Sequence, residues 1–403
     1  MPHDHPVMVI GAGPCGSFAA LTMARKHVPV TVLEEHGQIG IPSHCAGHVG
    51  IKGLTRLGLE IPDNLVQNRI RGARFYSPSC RELVLDHGSP VTYVLDRPKF
   101  DMWLADQATQ SGATYILNTR VRSLEQEKGR IRLSIEESDS AKELLCNLVI
   151  DAEGYPAALL EAAGLSKIYP SNTVNGVIVE VDNLIGVDDE FVELYFGKAY
   201  ASGFFAWIIP KGDGSGKIGL GVKAHDPIRL LHRFISQHPV ASRKLRKSKM
   251  LNLKAHPIPL GGPFSKTCTN GILWVGDAAS QVKPTTGGGI ITGMLCSRIA
   301  GEVGTEAWKR SDYTARFLSR YQSQWRKMIW EDFLVMRKIR TYLDRLSDER
   351  MDHLFELALK TGIMNDLRSL DDIDLQGSGF LSLTKRPRTL LNLIRFIWRA
   401  FNQ

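Results

Sequence analysis

Apolar and polar positions alternate along the first 151 residues in the pattern of an α/β domain. A short apolar run predicts a buried strand at Val7–Ile10, the next segment predicts a helix at Cys15–Lys26, and Val30–Leu33 predicts a second strand. A strand, a helix and a strand in this order form a βαβ unit. The pattern then predicts three strand-like segments, a helix and two further strands, at Ala73–Ser77, Glu82–Asp86, Val91–Leu95, Arg97–Gln110, Thr114–Leu117 and Leu148–Asp151.

From Val174 to Lys254 the pattern becomes β-rich and alternating, which is typical of a sheet that walls a pocket. The predicted elements are strands at Val177–Val181, Phe191–Phe196 and Phe204–Ile209 and a short helix at Pro227–Gln237. Residues 271–303 return to the first domain, and the pattern is helical beyond residue 304. No internal repeat divides these regions, so we expect the domains to be interleaved.

The amino-acid composition limits the kinds of ligand and the cellular compartment that we expect. Lys and Arg total 50 and Asp and Glu total 42, which gives a formal net charge of +8. No recognised nucleic-acid module accompanies this charge, so we assign it to anionic headgroups or acidic substrates rather than to nucleic acid. Six scattered cysteines form no C-x-x-C pair and no metal-ligand spacing, which favours free thiols, no bound metal and a reducing compartment. The first strand follows Met1 too closely for a signal peptide, and no uncharged apolar run reaches the ~20 residues of a membrane span, so we expect a cytoplasmic protein.

The turn after the first strand has the spacing Gly-x-Gly-x-x-Gly, at Gly11, Gly13 and Gly16. Such a turn lets the backbone approach a pyrophosphate at the N-terminus of the following helix. Glu34 ends the second strand 18 positions after Gly16, near the spacing at which a carboxylate reaches a ribose hydroxyl. These features together predict a dinucleotide site.

A second motif lies more than 250 residues downstream, where the segment Trp274–Ala279 is followed by the glycines of Gly287–Ile290. A buried strand there delivers Asp277, whose carboxylate can hydrogen-bond a polyol such as ribitol. The glycines bring a helix N-terminus, with its unpaired N–H groups, to the electron-accepting end of a cofactor. The two motifs complete an FAD site, so we predict FAD as the cofactor.

Two other segments fit the same site. Arg97 begins a predicted helix, and its fixed charge suits a pyrophosphate or the neighbouring loop. Asp151 and Glu153 close a predicted strand, where we expect them to support the cofactor loop.

With Cys45, Trp207 and Pro210, these motifs resemble in order and spacing the geranylgeranyl reductase family of FAD proteins over residues 7–305. The resemblance implies an α/β fold: a doubly wound Rossmann-like FAD domain, interleaved with an antiparallel β-sheet substrate domain of the aromatic-hydroxylase type, plus C-terminal helices. The domain boundaries that we predict are 1–75, 93–165 and 268–305 for the FAD domain, 76–92 and 166–267 for the substrate domain, and 306–403 for the helical region.

The resemblance also assigns site residues. It implies FAD contacts, beyond those of Gly11, Gly13, Gly16 and Gly288 in the glycine-rich loops, at Cys15, Glu34, Cys45, Ala46, Arg97, Val121, Asp277, Gly289 and Ile290. It places Cys45 beside the isoalloxazine, which implies a catalytic or flavin-gating role. The neighbouring His44 is a second catalytic candidate, because a histidine can carry a proton near neutral pH.

The strand that ends at Pro210 is the predicted substrate wall. The family has a Tyr-x-Trp-x-Phe-Pro pattern here that lines a tunnel for the prenyl chain, whereas this chain has Phe205, Trp207, Ile209 and Pro210. The wall stays apolar but loses the tyrosine hydroxyl. The segment is also similar to the Trp-x-Trp-x-Ile-Pro strand of flavin-dependent halogenases. Those enzymes need an active-site lysine, and arginines occupy the corresponding region near residues 70–80.

The C-terminal third is predicted to be amphipathic helix that packs on the FAD domain. In residues 385–403 basic side chains flank an aromatic-rich apolar set with no acidic residue, which favours a peripheral contact with the cytoplasmic membrane. Docking of this segment on the protein itself or on a partner stays open.

The predicted function is an FAD-dependent reductase that saturates double bonds of geranylgeranyl chains, on archaeal-type isoprenoid ether lipids. Reduced flavin gives hydride to one alkene carbon, and an acid or water protonates the other. No second dinucleotide fold is predicted, so the electrons come from an external donor, a ferredoxin-like protein or NAD(P)H. Two alternatives stay open: an FAD-dependent monooxygenase or halogenase, and a non-catalytic, membrane-attached flavoprotein that holds lipid or passes electrons.

Overall fold

A computed structural model describes residues 6–137, 140–162, 172–370, 372–377 and 379 of the 403-residue chain. Its strands, in chain order, are β1 Val7–Ile10, β2 Val30–Leu33, β3 His48–Gly50, β4 Val66–Ile70, β5 Gly72–Tyr76, β6 Glu82–Asp86, β7 Thr92–Leu95, β8 Thr114–Ile116, β9 Thr119–Glu127, β10 Arg130–Glu137, β11 Ser140–Cys146, β12 Val149–Asp151, β13 Thr173–Val181, β14 Phe191–Tyr195, β15 Ala206–Pro210, β16 Gly216–Val222, β17 Met250–Pro259, β18 Cys268–Thr269 and β19 Ile272–Trp274.

The α-helices are α1 Pro14–Ala24, α2 Ile51–Arg56, α3 Arg97–Gln110, α4 Ala158–Ala162, α5 Lys198–Ala201, α6 Pro227–Gln237, α7 Ala241–Leu245, α8 Ile290–Arg310, α9 Ala315–Arg345, α10 Asp348–Thr361 and α11 Ile363–Leu367. Short 3₁₀ turns lie at Asp63–Leu65 and Gly276–Ala279. No helix in the described ranges is long and apolar enough to cross a bilayer.

The chain forms two compact units, each built from three separate segments. The first unit comprises residues 1–43, 97–172 and 259–333, and the second comprises residues 44–96, 173–258 and 334–403.

A six-stranded sheet in the order β18-β19-β12-β1-β2-β8 forms the centre of the first unit. All its pairs are parallel except the edge pair of β18 with β19. The central strands are buried, as expected when both faces of a parallel sheet are covered. The carboxyl ends of β1, β12 and β19 therefore meet at one edge, where doubly wound sheets bind ligands.

Helix α1 packs on this sheet between α3 and α8, and it is apolar on nearly every side. Small residues let α8 approach it closely. A Cβ atom added to Gly301 would lie 2.8 Å from Cβ of Thr22, and one added to Gly304 would lie 3.3 Å from the methyl group of Met23. Larger residues at these two positions would push α8, and the loop that leads into it, away from α1.

A seven-stranded sheet in the order β17-β13-β16-β15-β14-β5-β6 dominates the second unit. It is mostly antiparallel, with one parallel pair of β14 and β5. Side chains alternate strictly across β15. Ala206 and Ile208 join the apolar core that includes Leu231 and Phe234 of α6, while Trp207 and Ile209 lie on the opposite face.

Two three-stranded sheets were not predicted from the sequence. The order β11-β10-β9 forms a meander in the first unit, and β3-β7-β4 forms an antiparallel sheet in the second. The predicted helix Cys15–Lys26 is shorter than expected and ends at Ala24, because His27 adopts a positive φ of 59° in the turn that follows. The predicted C-terminal helical region is confirmed through α11, whereas residues 385–403 lie outside the described residues.

A chain of buried hydrogen bonds holds the turn after β19. The hydroxyl of Tyr321, on α9, donates to the backbone oxygen of Trp274 at 2.6 Å and accepts from Nε2 of Gln281 at 2.8 Å. Gln281 Oε1 accepts from the backbone N–H of Gly276 at 2.9 Å. Tyr321 and Gln281 are fully buried, so each bond is protected from water. Helix α9 thereby fixes the backbone on both sides of residue 275.

Replacing Tyr321 with Phe should lower the free energy of unfolding by about 1–3 kcal/mol, because a buried carbonyl and a buried amide lose their partner. The matched control is Tyr200→Phe, since the Tyr200 hydroxyl makes a surface bond of 3.2 Å to the Gln237 oxygen. That control should change stability by less than about 0.5 kcal/mol. Urea denaturation followed by circular dichroism measures both values. Equal effects of the two substitutions would show that the buried hydrogen bonds of Tyr321 contribute no more to stability than a surface hydrogen bond.

Candidate functional site

The glycine turn between β1 and α1 is built so that only its middle glycine faces open space. A Cβ atom added to Gly11, whose φ is +90°, would lie 2.5 Å from the backbone oxygen of Ala152. One added to Gly16 would lie 1.9 Å from the oxygen of Gly11, whereas one added to Gly13 would meet nothing within 4 Å. The outer glycines are therefore required by the protein itself, and the space at Gly13 is what a pyrophosphate needs to approach the helix N-terminus.

Glu34 stands at the end of β2 and is only 8% exposed. Its Oε2 accepts from the backbone N–H of Ala12 at 2.7 Å, and its Oε1 accepts from the N–H of His36 at 3.0 Å. The ring Nδ1 of His36 lies 2.6 Å from the same Oε1. A carboxylate offers about four lone-pair sites, so these contacts leave acceptor capacity for a hydroxyl. Glu34 thus links the end of β2 to the glycine turn.

Asp277 lies in the 3₁₀ turn that follows β19, close to the start of α8. Burial raises the pKa of its carboxyl to about 6, and the nearby charge of Arg97 acts in the opposite direction. A Cβ atom added to Gly289 would lie 2.8 Å from Oδ1 of Asp277. Gly289 is the N-cap of α8 and supplies no side-chain acceptor, so the first-turn N–H groups of this 21-residue helix receive no side-chain cap. The carboxyl of Asp277 and the partly positive N-terminus of α8 therefore lie side by side.

Two further predicted residues surround Asp277. Cys15 fills the gap between the 3₁₀ turn and α8, since Cβ atoms added to Gly276 and Gly293 would lie 2.7 and 2.5 Å from its Sγ. Burial, with the charge of Asp277, raises the pKa of the Cys15 thiol to about 12, so the group stays protonated. Arg97 makes a two-point contact with Asp101, at 3.0 Å from Nε and 2.8 Å from Nη2.

The acidic pair at the end of β12 is buried beside the glycine turn. Asp151 Oδ1 accepts from the N–H of Glu153 at 3.0 Å, and Glu153 Oε1 accepts from the N–H of Leu159 at 2.9 Å. Burial raises the pKa of both carboxyls, and the charge of Asp151 adds to the effect on Glu153. Burial thus favours the protonated form of each carboxyl, which suits a supporting role in the loop.

The remaining predicted cofactor residues of this unit lie in two places. Gly288 belongs to the loop before α8, where its N–H lies 3.4 Å from Oγ1 of Thr286, and Ile290 begins α8. Val121 lies on β9 and packs against the apolar cluster that contains Ile10. The structure thus brings the glycine turn, Cys15, Glu34, Arg97, Asp277 and the start of α8 to one edge of the sheet, and it places Val121 on the meander.

The predicted catalytic residues His44 and Cys45 belong to the second unit. The N–H of Gly47 lies 3.4 Å from Sγ of Cys45, which is partly buried. The ring of His44 is exposed and stacks on His256, with centroids 4.7 Å apart and an interplanar angle of 7°. Burial, and secondarily the charge of His44, lowers the pKa of His256 to about 4, so the inner ring of the stack is neutral at physiological pH.

Lys217 was not identified from the sequence, yet it anchors the Cys45 loop. It lies on β16, is 4% exposed, and donates from Nζ to the backbone oxygens of Ala46 at 3.0 Å and Leu95 at 3.2 Å. Its register partner Ile209 packs in the same apolar cluster as Ala46. The loop and the predicted substrate strand are thereby fixed to each other within this unit.

Three of the four predicted substrate residues lie on one face: Trp207 and Ile209 in β15, and Phe205 directly before it. The indole of Trp207 lies over Gly219, where an added Cβ would be 2.3 Å from Cζ2. Phe205 packs edge-on against Trp207 at 6.0 Å between ring centroids, and Ile209 lies further along the same face. Pro210 ends the strand, and its backbone oxygen accepts from Nδ2 of Asn68 at 3.0 Å. Phe205, Trp207 and Ile209 therefore make one apolar face.

Comparison with known proteins agrees with these features. A family model described as an FAD binding domain matches residues 4–217. The digeranylgeranylglycerophospholipid reductase of Methanocaldococcus jannaschii is 33% identical over 389 residues, which cover 96% of each chain.

Solved structures show the same fold. A geranylgeranyl bacteriochlorophyll reductase-like protein from Thermoplasma acidophilum superposes with a TM-score of 0.83 and 26% identity, over 88% of this chain and 91% of that one. A flavin-dependent brominase superposes with a TM-score of 0.72 over 99% and 100% of the two chains, but its 16% identity shows a shared fold alone. The chain therefore belongs to the FAD-binding-domain family and, within it, to the digeranylgeranylglycerophospholipid reductases.

Proposed function

We propose that this protein is an FAD-dependent reductase that saturates the double bonds of geranylgeranyl chains carried by an isoprenoid ether phospholipid. The observation that carries this proposal is the similarity to a digeranylgeranylglycerophospholipid reductase over 96% of both chains. FAD, when bound and reduced, supplies the hydride that this chemistry needs. The chain's own residues bind the two reactants, exclude water and provide the proton.

The first unit supplies the groups that hold FAD. The open space at Gly13 would receive the pyrophosphate, and the spare lone pairs of Glu34 would accept from the ribose hydroxyls. Asp277 would accept from the ribityl chain, and the N–H groups at the start of α8, Gly288–Ile290, would stabilise negative charge on the pyrimidine side of the flavin. The carboxylate form of Asp277 is favoured above pH 6, where its hydrogen bond is strongest.

The second unit supplies the groups that hold the alkene. An isolated double bond has no carbonyl for the protein to polarise, so catalysis depends on position and on exclusion of water. The face formed by Phe205, Trp207 and Ile209 gives an apolar surface for this purpose. Phe205 and Ile209 replace a tyrosine and a phenylalanine of the family pattern, so this wall has one hydroxyl fewer.

Cys45 is our candidate for the proton donor, and Lys217 is a positioning residue. Lys217 fixes the carbonyl of Ala46, the residue next to Cys45, through a buried hydrogen bond. The exposed ring of His44, stacked on His256, is our second candidate to carry a proton to this loop, because an imidazole can both accept and donate a proton.

The electron donor, the compartment and the membrane contact belong to the proposal as well. We assign the electrons to a ferredoxin-like protein or to transient NAD(P)H. The six cysteines of the chain are free, which suits the reducing conditions of a cytoplasm. A peripheral membrane contact through residues 385–403 rests on the basic and aromatic sequence of that segment.

The first test is turnover without oxygen. Protein reduced with dithionite under anaerobic conditions should convert 2,3-di-O-geranylgeranylglyceryl phosphate to products heavier by two hydrogen atoms per reduced double bond, as measured by mass spectrometry. Flavin-free protein is the control and should give none. A requirement for oxygen would assign the protein to the monooxygenases or halogenases, and absence of product with every donor would favour a non-catalytic flavoprotein.

Replacing Cys45 with Ala should lower the turnover number by about 100-fold or more while FAD stays bound, because a positioned proton donor contributes about this much. Cys80→Ser is the matched control, since Cys80 is a partly exposed thiol of the same unit in the turn between β5 and β6. Flavin absorbance confirms cofactor content in both variants. Unchanged turnover in Cys45→Ala would remove this thiol from the mechanism.

Replacing Asp277 with Asn should raise the Kd for FAD by about 10-fold at pH 8, because an uncharged acceptor binds a hydroxyl less strongly. Flavin-free Asp277→Asn should nevertheless be more stable than the flavin-free wild type at that pH. The folded protein keeps the Asp277 proton up to about pH 6, whereas the unfolded chain loses it near 3.8, so the wild type loses stability as the pH rises through that window.

The stability difference between the two flavin-free proteins should shrink as the pH falls from 6 toward 4. Glu306→Gln is the control, because Glu306 is an exposed residue of α8 paired with Arg320 at 2.7 Å. That control should alter neither quantity. A stability difference that does not change with pH would show that folding does not raise the pKa of the Asp277 carboxyl.

A further inference from the structure

One face of β16 runs from the Cys45 loop to a group of charges. Residues 217, 219 and 221 share this face, because alternate residues of a strand point the same way, and residue 223 comes directly after the strand. Lys217 holds the loop at one end, and Lys223 follows the strand at the other. At about 3.3 Å per residue the face extends for about 20 Å, which is the length of several isoprene units.

Two glycines in the middle of this face are covered by aromatic rings. Trp207 lies over Gly219, and Phe204 lies over Gly221, where an added Cβ would be 2.7 Å from Cδ1 of the phenyl ring. Phe205 links the two rings: its centroid is 6.0 Å from that of Trp207 and 4.1 Å from that of Phe204. The three rings form a continuous aromatic row within the second unit.

The row ends at a buried guanidinium. Cζ of Arg340, on α9, lies 5.5 Å from the centroid of Phe204. Nη2 of Arg340 lies 2.6 Å from Oδ1 of Asp344, whose Oδ2 lies 2.5 Å from Nζ of Lys223. Two cations share one carboxylate, so this end of the row carries a net charge of about +1.

Arg340 is not satisfied by these neighbours. It is only 6% exposed, yet its Nε and Nη1 have no hydrogen-bond partner among the residues that the structure describes. Burial of unpaired guanidinium donors is costly, and such groups in native proteins call for an explanation. The last acidic side chain of the sequence is Asp374, so residues 380–403 offer no carboxylate side chain to complete the pair.

We propose that Arg340 and Lys223 bind the phosphate of the lipid substrate, with the prenyl chain along the row of Phe204, Phe205 and Trp207. This inference rests on the proposed function and names the headgroup that the site selects. A phosphate supplies several acceptor oxygens and a negative charge, and guanidinium binds it through parallel hydrogen bonds. An apolar row that ends in unsatisfied cationic donors matches a molecule that is a hydrocarbon at one end and an anion at the other.

A purely structural role makes a different prediction. If Arg340 only ties α9 to β16 through Asp344, its loss lowers stability but does not alter the choice between substrates. The discriminating quantity is therefore the ratio of kcat/KM for two lipids with identical prenyl chains, 2,3-di-O-geranylgeranylglyceryl phosphate and 2,3-di-O-geranylgeranylglycerol. Both are offered together in micelles of an uncharged detergent, and saturated products are counted by mass spectrometry.

The wild type should prefer the phosphate by at least about 10-fold, and Arg340→Gln should reduce the ratio by about 10- to 100-fold. Arg340→Lys keeps the charge without the fork and should retain part of the preference. Arg337→Gln, an exposed residue one turn earlier on α9, is the control and should keep the wild-type ratio. Thermal unfolding of each FAD-loaded variant reports the separate effect on stability.

Equal rates for the two lipids in the wild type would overturn the headgroup assignment even if Arg340→Gln fails to fold. An unchanged ratio in a folded Arg340→Gln would overturn it too and leave Arg340 a structural role. Stabilisation of the wild type by inorganic phosphate, with equal rates for the two lipids, would assign the site to a free anion instead. If the wild type reduces neither lipid, the proposed function itself fails. The other outcomes concern only the headgroup and leave the proposed function intact.

Discussion

The contact that the first unit depends on is the approach of α1 to the end of β1. At Gly16 a single added Cβ would stand 1.9 Å from the Gly11 oxygen, so no other residue allows the helix to begin where it does. That start sets the position of α1, and α8 follows because glycines at 293, 301 and 304 let it pack closely on α1. Asp277 and the α8 N-terminus therefore reach the glycine turn as a consequence of backbone packing.

The second unit uses glycine for another purpose. In β16 the glycines at 219 and 221 leave space for the aromatic rings of Trp207 and Phe204. On the opposite face of the same strand, Ile218 and Leu220 pack in the apolar core. One strand thus supports the fold with one face and presents an aromatic surface with the other.

The sequence predicts the elements whose residues act locally. Three such elements are predicted correctly: β1, the glycine turn and β2. Each is specified by consecutive residues, either a short apolar run or closely spaced glycines. The meander β9-β10-β11 is missed, since its exposed charged residues mask the alternation. Lys217 and Arg340 are missed for a related reason. A lysine in a strand and an arginine on an amphipathic helix are normally predicted to be exposed to solvent. Lys217 and Arg340 are buried by residues that are distant in the sequence.

The buried cations Lys217 and Arg340 differ in whether the protein satisfies their hydrogen bonds, and this difference distinguishes a structural role from a binding role. Lys217 donates to two backbone oxygens, so the protein itself repays part of the cost of burying its ammonium. Arg340 has one carboxylate that it shares with Lys223, and two of its donors lack a partner within the described chain. A cation that is satisfied internally fixes a loop, whereas one left unsatisfied at the end of an apolar row is poised for an anion from outside. Lys217 on β16 and Arg340 on α9 therefore use their positive charge in two physically different ways.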